Sequence, residues 1–164
     1  MNPLLKDIFA QSRRVVDLGT EKNLTFATAE SCTGGLLGAA ITSMSGASTV
    51  FKGGIIAYDN AVKTAQLSVS DAILAAHGAV SAEVAYAMAE NARKILDVDI
   101  ALSVTGIAGP GGGSPEKPVG TVWMGLSRQN MTETRLLQLG EIGRNKIRDM
   151  TVLEALKWLG DVLR

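Results

Sequence analysis

The sequence predicts an α/β fold: one three-layer α/β/α domain over residues 1–164, built on a mixed, mostly parallel sheet of about five strands. Three observations carry this. Short apolar runs alternate with amphipathic helical patterns along the first two thirds of the chain, as units of strand, helix and strand require. The last two apolar runs, 119–126 and 131–137, are joined only by Ser127–Asn130, a link short enough to make them antiparallel neighbours. Apolar residues make up 46% of the 164 and glycine occurs 18 times, a composition suited to a packed domain with many tight turns.

The elements follow in order. Leu4, Leu5, Ile8, Phe9, Val15 and Val16 recur at helical spacing with Lys6, Asp7, Gln11, Arg13 and Arg14 between them, so the chain opens with an amphipathic helix that Gly19 or Asn23 ends. Residues 24–29 read as a buried strand. A helix rich in small residues follows from about Thr33 to Ser43, and Ser45–Ser48 reads as a loop. Gly53–Tyr58 is a second strand, closed by Asp59-Asn60, and 61–67 has room for one or two helical turns carrying Lys63. Ser70 and Ser81 stand as N-caps of two further helices, with Gly78 ending the first of them. Residues 99–104 form a third strand, which leads into the Gly/Pro-rich loop 105–118. After the hairpin, Ile147, Met150, Leu153, Leu156, Leu159 and Leu163 give the last helix, from about Arg144, an apolar stripe. No internal repeat or linker divides the chain.

Charge and cysteine usage narrow the function. Lys+Arg and Asp+Glu both number 16, so no net field favours nucleic acid or an anionic membrane. A single Cys allows neither an internal disulfide nor a multi-cysteine metal site within one chain, which fits a reducing, cytoplasmic setting. The first residues lack the apolar core of a signal peptide, and no apolar run approaches the roughly 20 residues that span a bilayer. The composition allows a homo-oligomer.

In such a sheet the loops after Ala29, Tyr58 and Val104 share one edge, where ligands bind. Ser31 and Thr33 sit on a strand-to-helix turn, either as a nucleophile beside free backbone N–H groups or simply as an N-cap. Cys32 is an alternative nucleophile or a small buried hydrophobe. With His77 as the only histidine and placed at a helix end, neither a metal site nor a serine–histidine mechanism is indicated. A lysine base remains. Lys63 follows a buried strand at the active edge, and Lys52 precedes the same strand at the wrong edge; for either, a solvated surface charge is the competing reading. Tyr58 could donate or relay a proton. The glycine-rich loop matches neither the P-loop nor the dinucleotide fingerprint. Its N–H groups at Gly111–Gly113 could still wrap an anionic ligand.

Taken together, Ala29-Glu-Ser-Cys-Thr-Gly-Gly35, Tyr58-Asp-Asn-Ala-Val-Lys63, His77-Gly-Ala-Val-Ser81, and Thr105-Gly-Ile-Ala-Gly-Pro-Gly-Gly112 followed by Lys117-Pro-Val-Gly-Thr-Val122 resemble the CinA C-terminal domain family. That family includes the stand-alone bacterial nicotinamide-nucleotide amidases, and many of its members carry a further N-terminal domain. The resemblance spans about residues 4–163. It implies hydrolysis of the carboxamide of nicotinamide mononucleotide to nicotinate mononucleotide and ammonia, through a Ser/Lys dyad without metal or cofactor. It makes Ser31 the nucleophile and Lys63 its base, with Tyr58 in support. Glu30, Thr33, Gly34, Gly35, Thr105, Gly106, Gly111 and Gly112 are then expected at the substrate, and Arg144 at its phosphate. The implied partner is a small nucleotide, with no nucleic acid or membrane. The other function such proteins suggest is a competence- or damage-inducible nucleotide-binding module without turnover; hydrolysis of a different amide is a third. The sequence departs from the family at Ser68, where glycine is frequent, and in a longer Gly140–Arg144 segment.

Overall fold

The five strands of the sheet lie in the order β2-β1-β3-β4-β5. β1 (Phe26–Glu30) occupies its centre and pairs in parallel with both β2 (Phe51–Ile56) and β3 (Ile100–Gly106). β4 (Thr121–Arg128) runs antiparallel to β3 and to β5 (Met131–Gln138), so two ladders are parallel and two antiparallel. The structure, a computed structural model, describes residues 2–164.

Side-chain alternation along the strands sorts the core into two layers. Phe26 on β1 and Ile100, Leu102 and Val104 on β3 face α1 (Pro3–Lys22), α2 (Leu36–Thr42), α3 (Ala47–Val50) and α7 (Arg144–Val162). Ala27, Ala29 and Ala101 face α4 (Asn60–Leu67), α5 (Asp71–His77) and α6 (Ala82–Ile95). Small residues on this second face let α6 lie close to the sheet. Gly125 on β4 is part of that fit: a Cβ there would run into the Ala85 carbonyl of α6 and the Ser103 hydroxyl of β3. α7 is buried around much more than one stripe, because it is wedged between α1 and the sheet; Val152, Ala155 and Trp158 join Leu153, Leu156 and Leu159 in the core.

Local chemistry explains the boundaries. Asn23 in the left-handed region ends α1, at φ 54°. Ser70 and Ser81 accept from the N–H groups of Ile73 and Val84 as N-caps, and Gly78 closes α5. α2 begins at Leu36, after a turn in which Gly34 and Gly35 adopt φ 61° and 96°, and not at Thr33. The segment expected as a loop at 45–48 instead holds the start of the short α3. No helix among the described residues is long and apolar enough to cross a membrane.

Candidate active site

Ser31 stands one residue beyond β1, where its N–H donates to the Val104 carbonyl at 2.9 Å and so fixes it against the end of β3. The neighbouring strand β2 leads through Tyr58 to Asp59, whose carboxylate caps α4 by accepting from the Ala61 N–H at 2.8 Å. Lys63 lies one turn further, on the same helical face as the buried Leu67. Its stem therefore runs inward. Nζ donates to Ser31 Oγ at 3.0 Å and to the Tyr58 carbonyl at 3.1 Å. Lys63 is only 1% exposed and Ser31 8%.

Burial holds the Lys63 amine below the ordinary value of 10.5, against the opposing pull of Asp59 and Cys32. Lys63 makes no salt bridge among the described residues. In the neutral amine one N–H can stay on the Tyr58 carbonyl while the lone pair faces the Ser31 hydroxyl, the geometry a general base needs. Cys32 is the opposite case. Burial pushes its thiol up to about 12, and it packs with Ala108, Val119, Val122 and Ile147. It is a small buried hydrophobe. Lys52 is exposed at the far end of β2, with Nζ on the Thr49 carbonyl at 3.2 Å.

A cavity of about 260 Å³ opens over the Ser31–Lys63 pair. Tyr58, Thr105, Gly106, Gly111, Gly112 and Arg144 line it. Arg144 opens α7, and its guanidinium donates to the Gly109 carbonyl at 2.8 Å and the Tyr58 hydroxyl at 2.9 Å. Tyr58 thus touches Lys63 through its carbonyl, while its phenol is held by Arg144. The Thr105 hydroxyl donates to the Ala79 carbonyl at 2.8 Å, tying the segment before α6 to the end of β3.

Four residues expected at the substrate lie away from this cavity. Glu30 is 1% exposed and turned under α2, and Thr33, fully buried, donates its hydroxyl to Glu30 Oε2 at 2.7 Å. Gly34 and Gly35 form the turn on the far side, toward Arg148 and Ile56. Alternation along β1 is the reason: Glu30 shares a face with Phe26 and Thr28, opposite the α4 layer that supplies Lys63. Arg148, which the motifs did not single out, donates to the Thr33 carbonyl at 2.9 Å and braces the same turn from α7. Its spacing one turn after Arg144 was the available signal. Among the described residues, no group of three or more His, Cys, Asp or Glu could hold a metal ion.

The sequence profile described as the CinA C-terminal domain matches residues 9–163. The chain belongs to the CinA C-terminal domain family. A CinA-like protein of Citrifermentans bemidjiense is 47% identical over 157 residues, covering 93% of this chain and 38% of that protein. A second CinA-like protein, from Dictyoglomus thermophilum, is 47% identical over 145 residues, covering 88% of this chain and 35% of its own length. The chain thus spans less than two fifths of the curated relatives it matches. Among solved structures, the competence/damage inducible protein CihA from Agrobacterium tumefaciens superposes with a TM-score of 0.93 at 42% identity, over 96% of this chain and 95% of that one. A CinA superfamily protein from Enterobacter cloacae gives 0.90 at 27% identity, over 96% and 92% of the two chains. In this CinA domain the motif-bearing loops are those that surround the Ser31–Lys63 pair.

Proposed function

We propose that this CinA domain is an amidohydrolase that deamidates nicotinamide mononucleotide through Ser31 and Lys63. The observation that supports the reading is a buried, depressed-pKa lysine whose Nζ lies 3.0 Å from a serine hydroxyl at a cavity floor. A binding module without turnover has no use for that arrangement.

In the reaction, neutral Lys63 takes the Ser31 proton as Oγ bonds to the carboxamide carbon. The charge that develops on the amide oxygen is met by main-chain N–H groups of the glycine-rich loop that lines the cavity. The Lys63 ammonium returns the proton to the amide nitrogen, the C–N bond breaks and ammonia leaves. Water, deprotonated by Lys63, then attacks the acyl carbon; the C–Oγ bond breaks as the Lys63 ammonium returns that proton to Oγ, giving nicotinate mononucleotide, free Ser31 and neutral Lys63. Arg144, at the cavity mouth and at the N-terminus of α7, supplies charge for the nucleotide phosphate.

The test is ammonia release from nicotinamide mononucleotide by the chelator-treated protein and by Ser31→Ala. The wild type is expected to turn over, and the variant to lose about 10³-fold or more while staying folded. A folded wild type that binds the nucleotide but releases no ammonia moves the function to the binding module.

A further inference from the structure

We propose that Glu30 is the positioning residue of the nucleophile turn: its buried carboxylate anchors the turn to α2 and so fixes where Ser31 Oγ stands against Lys63. This rests on the reading of Ser31 as the nucleophile. Glu30 Oε2 accepts from the Thr33 hydroxyl at 2.7 Å and from the N–H groups of Gly35 and Leu37, each at 3.0 Å. Oε1 accepts from the Gly38 N–H at 2.8 Å and the Thr28 hydroxyl at 3.1 Å. Five donors converge on one side chain that is 1% exposed.

The need for such a device follows from the local sequence. A helix leaves its first N–H groups without intrahelical partners, and a Ser, Thr, Asp or Asn at the N-cap usually meets them. Here the N-cap is Gly35, which has no side chain, at φ 96°. The carboxylate five residues earlier does the capping instead. Everything between Glu30 and Gly35, Ser31 included, is thereby a short span pinned at both ends. Arg148 adds a third point by donating to the Thr33 carbonyl at 2.9 Å. The helix N-terminus, already occupied by Glu30, is spent on holding the turn, so its role in the chemistry is to orient Oγ and not to bind substrate. Gly38 completes the fit, since a Cβ there would come within 3.4 Å of Glu30 Oε1.

The test uses a serine-reactive fluorophosphonate, whose labelling rate reports Ser31 nucleophilicity independently of the natural substrate. Glu30→Gln keeps the shape but turns an amide NH2 toward N–H donors. Thr33→Val removes one of the five bonds and leaves the rest. Ile41→Val, on the buried face of α2, is the control for general loosening of the helix. Labelling of Ser31 is expected to slow at least 30-fold in Glu30→Gln and three- to tenfold in Thr33→Val, and to stay within twofold in Ile41→Val. Where turnover is measured, the loss is expected in kcat with KM unchanged within threefold. Should Glu30→Gln prove unfolded, the graded slowing of the folded Thr33→Val still decides. Labelling of Glu30→Gln or Thr33→Val no slower than that of Ile41→Val overturns the proposal and leaves Glu30 a purely structural cap. A wild type labelled at Ser31 yet inert toward nicotinamide mononucleotide discards that substrate, while the labelling series still judges Glu30. A wild type that is not labelled at Ser31 overturns both.

Discussion

Among the described residues Lys63 is buried without a carboxylate partner, and in the proposed mechanism this one side chain links stability to catalysis. In the native protein its amine gives up its proton below the ordinary 10.5, because burial disfavours the charged form. Between the native value and 10.5 the unfolded chain therefore binds more protons than the folded one, and stability rises with pH across that window. In urea unfolding, wild type is expected to gain on Lys63→Met as pH rises from the native value toward 10.5, by at most about 1.4 kcal/mol per pH unit. A gap that narrows with rising pH would reverse the sign assigned here. In the proposed mechanism the same titration sets the rate, so kcat/KM for ammonia release is expected to rise with pH along a limb that levels off below pH 10.5. Cys32 works in the other direction. Its native thiol keeps its proton to about 12 against an ordinary 9.0, so above pH 9 it lowers stability. Cys32→Ala is expected to flatten that alkaline fall and to leave ammonia release within about threefold of wild type, since the proposed mechanism gives the thiol no part.

The elements were legible where the signal is local. Ser70, Ser81 and Gly78 mark their helix ends as the residue types demand, and hydrophobic periodicity places α1, α6 and α7. The start of α2 was not legible in the same way. Its cap is supplied by Glu30, outside the helix and five residues before the N-cap, and short-range capping patterns do not reach that far. Ser68 shows the reverse. It is one of the two departures from the family pattern, and it sits at φ 51° after α4, where the Val69 N–H closes back on the Lys63 carbonyl at 3.2 Å. Glycine adopts that conformation freely. Ser68→Gly is accordingly expected to raise stability by about 0.5–1 kcal/mol in urea unfolding, with no loss of activity. Gly125→Ala is expected to cost about 2 kcal/mol or more, because the added methyl meets the main chain of α6 and neither element can retreat without opening the second core layer. An unchanged unfolding midpoint in Gly125→Ala would mean that α6 is not seated as tightly as described.

At the scale of the whole molecule, the sheet order brings three sequence-distant loops to one edge. β1 lies between β2 and β3, so the segments after Glu30, Ile56 and Gly106 converge on one cavity. Alternating strands and helices made that edge visible in the sequence and pointed to Ser31, Tyr58 and Lys63; Thr105 and Arg144 were expected there through the family resemblance. Which side of β1 each neighbour of Ser31 faces was not visible, because a strand read as uniformly buried gives no sign of which layer each side chain enters. Glu30, Thr33, Gly34 and Gly35, which the family resemblance placed at the substrate, instead build the turn beside the cavity. The central claim is that Lys63 is the base for Ser31, and the most direct measurement is kcat/KM for ammonia release from nicotinamide mononucleotide by Lys63→Met, whose side chain fills nearly the same buried space without an amine. The expected result is a folded variant that has lost at least about 10³-fold. A folded Lys63→Met that releases ammonia within tenfold of wild type would contradict the dyad.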